Sequence, residues 1–165
     1  MRIAILGAGA WGSALAITFA ARHEVALWSR PGTHERLART RESPYLPGFV
    51  LPPAISIEPQ LARAIDGRDL VVVASSTAGL PDLCKAVAAH RPEAALLWAC
   101  KGFEPAAGRL PHQVVAAALP RSTKVGALSG PSFALEVAQG LPAALVVASG
   151  NANFAAATAP RNWRG

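Results

Sequence analysis

The sequence lacks most of the features that mark a secreted, membrane-bound or metal-dependent protein. It has only two cysteines in 165 residues. Cys84 and Cys100 lack metal-ligand spacing and stand among apolar neighbours, which predicts buried, reduced thiols in a cytosolic protein. No block of Lys and Arg reaches five in a row, and no zinc-finger or RNA-binding signature occurs, so nucleic acid is discounted as a partner. Met1-Arg2 leads straight into a strand pattern, which is wrong for a secretory signal. Residues 137–160 carry no charge, yet Gly140, Pro142, Gly150 and two asparagines interrupt them. A spanning helix needs about 20 continuous apolar residues. The expectation is therefore a soluble, cytoplasmic chain with no membrane partner. Internal repeats and low-complexity linkers are also missing.

What is present is basic and regularly patterned. Sixteen Lys and Arg against ten Asp and Glu leave a formal charge of +6. Two readings stand: an anionic partner such as a phosphate-bearing ligand, or a basic solvated face without a partner. Short β-rich runs at 2–6, 24–29, 69–75, 94–100, 124–129 and 143–149 alternate with helical patterns at 10–22, 34–40, 59–65, 80–90, 110–119 and 132–140. The run "DLVVVAS" is continuously apolar, as expected of a parallel strand covered on both faces. Residues 43–53, "SPYLPGFVLPP", are too broken by proline for either regular element. Alternation of this kind predicts an α/β fold, a doubly wound and mostly parallel sheet with helices on both faces. Residues 1–149 form that domain. Residues 150–165, with Pro160 and an abrupt "RNWRG", read as an irregular tail.

The segment "LGAGAWGSA" supplies Gly7, Gly9 and Gly12 in the pattern G-x-G-x-x-G. Alone the pattern is weak; between a strand and a helix it predicts a dinucleotide site. Gly7 permits the tight turn, Gly9 lets backbone amides approach a pyrophosphate, and Gly12 lets helix and strand pack closely. The free amides and dipole at the helix N-terminus stabilise the anion. An NAD-selective site carries an acid at the end of the second strand. Here Ser29 stands in that place with Arg30 beside it, which removes repulsion and offers a 2′-phosphate a charge-assisted partner. NADP is favoured, and NAD stays open.

Three further stretches, "SPYLPGFVLP", "ACKGFE" and "LSGPSFALEVAQGLP", follow the glycine turn in order. Together the four motifs resemble the N-terminal domain of bacterial-type NAD(P)-dependent glycerol-3-phosphate dehydrogenase, from Met1 to about Ser149. The resemblance implies a Rossmann-type fold. It also implies reversible hydride transfer between NAD(P)H and dihydroxyacetone phosphate, giving sn-glycerol 3-phosphate for phospholipid synthesis. By the same resemblance Ala10 and Trp11 lie against the cofactor, Arg30 lies near the adenosine ribose, and Ala134 also touches the cofactor. Lys101 contacts both cofactor and substrate, while Gly130 and Ser132 contact the substrate.

Residue chemistry agrees with that assignment. A lysine at the carboxyl edge of a parallel strand can act as a point charge on a phosphate or a developing alkoxide. Gly130 admits close approach of a ligand, Pro131 fixes the entry, and Ser132 either caps its helix or bonds the substrate. Glu104 and Glu136 read as ordinary carboxylates, and His23, His34, His90 and His112 share no spacing that assigns them a role.

The chain departs from the family pattern at Glu42, where Asn is usual, and at Ser75-Ser76, where Pro-Ser is usual. The resemblance further implies a second, helical domain carrying the proton-accepting lysine, and homodimers of the full-length enzyme. By spacing that lysine lies beyond Gly165. Two readings follow: one part of a dehydrogenase, weak or inactive by itself, or a non-catalytic dinucleotide-binding module.

Overall fold

The computed structural model describes residues 1–159. Its strands are β1 (Arg2–Leu6), β2 (Glu24–Trp28), β3 (Ser56–Glu58), β4 (Leu70–Val73), β5 (Ala95–Trp98), β6 (Val125–Ser129) and β7 (Val146–Ala148). The helices are α1 (Ala10–Ala20), α2 (Pro31–Thr40), α3 (Leu61–Ile65), α4 (Leu80–His90), α5 (Pro111–Ala118), α6 (Ala134–Ala138) and α7 (Ala152–Thr158). The strands form one sheet in the order β3-β2-β1-β4-β5-β6-β7. Every pairing is parallel except β6 with β7, which is antiparallel.

The two-residue period of a strand explains how the sheet is covered. Ile3, Ile5, Leu27, Val72 and Leu97 point to one face, where Leu15, Ala16 and Phe19 of α1 meet them with Leu37 and Phe154. Ala4, Leu6, Val71, Val73 and Leu96 point to the other, beneath Ile65 of α3, Leu80, Leu83 and Val87 of α4, and Val114 and Val115 of α5. Both sets are apolar because neither face meets water. Cys84 and Cys100 lie in the second layer as free thiols. Burial pushes them up to about 12 and about 11, so neither is reactive near neutral pH.

Most predicted elements form within a residue or two of their expected limits. α4 occupies residues 80–90, the span its pattern predicts. β3, three residues set between Pro53 and Pro59, was not expected; it completes the sheet edge beside β2. The proline segment is held as a loop by Arg41, whose guanidinium donates to the carbonyls of Leu51 (3.0 Å), Pro52 (2.7 Å) and Ile55 (2.8 Å).

The expectation of an irregular tail over 150–165 is corrected for Ala152–Thr158, which form α7. Asn151 caps that helix by accepting from the Phe154 amide at 2.9 Å, and Phe154 inserts into the first apolar layer with only 6% of its surface exposed. The segment thus has the apolar anchor that the pattern did not reveal. Residues 160–165 of that tail lie outside the described residues. No helix among the described residues is long and apolar enough to cross a membrane.

Replacing Phe154 by Ala removes the anchor of α7 and leaves a cavity against Gly126 and Leu128. The expected cost is about 3 kcal/mol of unfolding free energy, measured by urea denaturation. A change below about 0.5 kcal/mol would show α7 to be peripheral to the fold.

Candidate nucleotide and substrate cleft

The parallel strands deliver their C-terminal loops to one edge. β1 pairs with β2 on one side and β4 on the other, so the chain leaves this point in both directions and a crevice opens there. The glycine turn, Ser29-Arg30, Ser75-Ser76, Lys101 and Gly130-Ser132 all follow strands ending at that edge.

The three glycines have separate physical causes. Gly7 has φ +120°, and a Cβ there would lie 2.5 Å from the Ala74 carbonyl oxygen. A Cβ on Gly12 would lie 1.8 Å from the Gly7 carbonyl oxygen, so only glycine lets α1 start this close to β1. A Cβ on Gly9 would meet nothing within 4 Å. The protein's own packing makes no demand for glycine at that position. The room beside Gly9, in front of the first amides of an eleven-residue helix, fits a pyrophosphate as the motif requires.

A small open cleft at the start of α1 is lined by Trp11, Ala99, Lys101, Leu128, Ser129, Gly130 and Leu145. Three of the predicted positions, Trp11, Lys101 and Gly130, therefore converge on it. Ala134 opens α6 and packs with Trp11, Ala14, Leu46 and Val137 in a third apolar cluster, which brings the start of α6 to that of α1. Ala10 is the first residue of α1. Arg30 stands apart from the cleft at the other side of the turn, exposed at the N-terminus of α2. Ser29 beside it is buried, and its Oγ has no hydrogen-bond partner.

The structure revises two roles around Gly130. A Cβ on Gly130 would fall 2.0 Å from the Ala144 carbonyl oxygen, so approach of the chain leading into β7 already requires glycine without a ligand. Ser132 does not cap α6. The cap position is Phe133, whose amide donates to Glu136 Oε2 at 3.4 Å, while the Ser132 Oγ is buried with no partner. Of its two competing roles, capping is excluded.

Lys101 is exposed, and the backbone beneath it is tightly held. Thr77, in the short 3₁₀ turn after β4, donates its hydroxyl to the Lys101 carbonyl at 2.8 Å. Beyond it, Glu104 is only 4% exposed and accepts from the Ala106 amide (2.8 Å) and the Ala107 amide (3.0 Å), with Arg109 Nε 3.6 Å away. Those amides first, then Arg109, hold its carboxyl below the usual glutamate range. Glu104 is thus the hub of the loop that starts at Lys101, a role the sequence did not disclose. Thr77, Leu128 and Leu145 were also missed; as ordinary strand and turn residues they carry no motif signal. Among the described residues no group of three or more His, Cys, Asp and Glu is placed to hold a metal.

This fold and this crevice define a dinucleotide-binding α/β domain of the doubly wound class. The sequence profile described as "NAD-dependent glycerol-3-phosphate dehydrogenase N-terminus" matches residues 2–155. The chain belongs to that family. It is 50% identical over 159 residues to glycerol-3-phosphate dehydrogenase [NAD(P)+] of Ralstonia nicotianae, spanning 90% of this chain and 47% of the relative. Against the enzyme of the same name from Nitrosomonas europaea it is 48% identical over 161 residues, 96% of this chain and 49% of the relative. The crystal structure of glycerol-3-phosphate dehydrogenase from Coxiella burnetii superposes with a TM-score of 0.89 at 29% identity, over 99% of this chain and 51% of that one. The chain spans about half the length of the relatives it matches.

Glu104 predicts an acid-sensitive loop. Its folded pKa is depressed, so its contribution to stability is present above the unfolded value of about 4.3 and is lost as pH falls through the folded value. Glu104→Gln is expected to melt lower than the parent at pH 7, with the gap closing toward pH 3. A gap that is constant across that range in a calorimetric melting series would contradict the assignment.

Proposed function

We propose that this chain binds NADP(H), and NAD(H) more weakly, and is the nucleotide-binding half of a glycerol-3-phosphate dehydrogenase. The observation that carries the reading is the convergence of Lys101, Gly130 and Trp11, in the first turn of the helix after the glycine turn, on one cleft. In this reading the Gly9, Ala10 and Trp11 segment faces the pyrophosphate, and the partial positive charge of the α1 N-terminus favours it. Arg30 meets the 2′-phosphate, with Ser29 replacing the acid that would repel it. When bound, the nucleotide supplies or accepts a hydride.

The chain's own groups then orient the second reactant. Lys101 offers a point charge to the phosphate, or to the carbonyl oxygen of dihydroxyacetone phosphate as negative charge develops there. The buried Ser132 hydroxyl, with no internal partner, supports its assignment to the substrate side. Trp11, Leu128 and Leu145 form apolar walls that limit water. By family resemblance the proton acceptor lies outside residues 1–165. A positioned acid or base contributes about 10²–10⁴-fold in rate, so these 165 residues alone are expected to bind nucleotide and turn over negligibly.

Calorimetric titration with NADPH and NADH, followed by an assay with dihydroxyacetone phosphate, tests both halves. The expected result is tighter binding of NADPH, and for Arg30→Ala at least tenfold weaker binding of NADPH with NADH unchanged. Failure to bind either nucleotide would leave the family fold without its function. Rapid turnover by the isolated polypeptide would overturn the division of labour.

A further inference from the structure

The proline segment 43–53 was singled out by sequence and has no role in the cleft so far described. Its first residue, Ser43, is 1% exposed and reaches the glycine turn. Ser43 Oγ donates to the Ala8 carbonyl at 2.8 Å, and Ser13 Oγ of α1 donates to the same oxygen at 3.3 Å. Ser13 is also 1% exposed. The Ser43 hydroxyl has a fixed direction, because its oxygen accepts from the Tyr45 amide at 3.3 Å while its proton is given to Ala8. The neighbouring Leu46 is buried against Ala14 and Val137, so the segment is docked on α1 and α6.

The consequence follows from peptide planarity. The Ala8 carbonyl and the Gly9 N–H belong to one peptide unit, which is trans like every peptide bond among the described residues. In a trans peptide these two groups point in opposite directions. Two buried hydroxyls that hold the carbonyl toward the core therefore turn the Gly9 N–H away from it. A Cβ on Gly9 would meet nothing within 4 Å, so the chain leaves open space beside this residue. Gly9 itself has φ −66° and ψ −177°, an ordinary conformation, so local sterics do not fix the plane and an external tether can.

We propose that Ser43 is a positioning residue of the dinucleotide site: with Ser13 it clamps the Ala8 carbonyl and so aims the Gly9 amide at the ligand pyrophosphate. The inference rests on the nucleotide-binding reading above. It assigns the proline segment to the cofactor side of the cleft through a single hydroxyl. Preorganised donors lose no free energy to reorientation when the anion arrives, so loss of the clamp weakens binding without removing any group that touches the ligand.

The test uses the full chain labelled with ¹⁵N-glycine, titrated with NADPH by calorimetry and followed at the Gly9 amide by NMR. For the parent chain a downfield shift of the Gly9 proton is expected at saturation. Ser43→Ala is expected to bind about tenfold more weakly and to show a smaller Gly9 shift at saturation. Ser13→Ala, which loses the longer bond, is expected to show the same two effects at lower amplitude, and it keeps the test alive should Ser43→Ala not fold. Affinity within twofold of the parent in both variants overturns the clamp. Weaker binding with an unchanged saturated Gly9 shift does so as well, since it marks a merely structural role. Gly9→Ala separates this from failure of the underlying reading: its methyl has room in the protein, so full NADPH affinity in that variant would sink the site itself.

Discussion

Where α1 begins over the end of β1, there is no room for a side-chain carbon. A Cβ at Gly12 would sit 1.8 Å from the Gly7 carbonyl, and one at Gly7 would sit 2.5 Å from that of Ala74. These two contacts bring the turn, the helix N-terminus and the end of β4 into one small volume. The helix dipole and free amides consequently meet the crevice at the point where the strand order diverges. Without that approach the rest of the edge would have nothing to converge on. Lys101 and Gly130 reach the cleft because β5 and β6 are stacked in register beyond β4.

Rigidity around the cleft comes from polar groups that were not prominent in the sequence. Thr77 fixes the Lys101 carbonyl, Glu104 closes the following loop on itself, and Ser43 with Ser13 holds Ala8. Each satisfies a backbone group that would otherwise be unpaired next to a binding surface, where such a loss costs about 1–3 kcal/mol. The Oγ atoms of Ser29 and Ser132, in contrast, are buried and make no hydrogen bond within the chain. One of these hydroxyls stands at a predicted substrate position, Ser132, and the other, Ser29, where an NAD-selective site would carry its acid.

The alternation of apolar runs made the doubly wound sheet legible, because strands covered on both faces cannot hide their composition. The glycine turn was legible for a different reason: two of its three glycines answer to backbone contacts that no other residue survives. The failures are equally physical. β3 has three residues and lies between prolines, too short for a period-two signal. α7 rests on one buried Phe154 and an Asn cap, and a single anchor in an alanine-rich stretch leaves no periodic trace. In the cleft, Lys101, Trp11 and Gly130, which the motifs single out, line one pocket. The need for glycine at 130 has a cause no motif shows, since the chain before β7 crosses there and no sequence pattern reports a backbone crossing. Glu104 was read as an ordinary carboxylate because burial is a tertiary property.

The antiparallel β7 decides how the second half of the cleft is built. A further parallel strand would need a crossover helix and would carry the chain away from the carboxyl edge before returning. Instead the chain passes through α6, whose Ala134 and Val137 pack on Trp11, Ala14 and Leu46, and re-enters beside β6 in the opposite direction. Leu145 therefore arrives at the same edge as Leu128, and both face the cleft. α6 is tied on one side to the glycine-turn helix and on the other to the cleft wall. The same cluster holds Leu46 of the proline segment, the neighbour of the Ser43 tether. One small apolar contact thus sets the separation of the glycine turn from the Gly130-Ser132 turn.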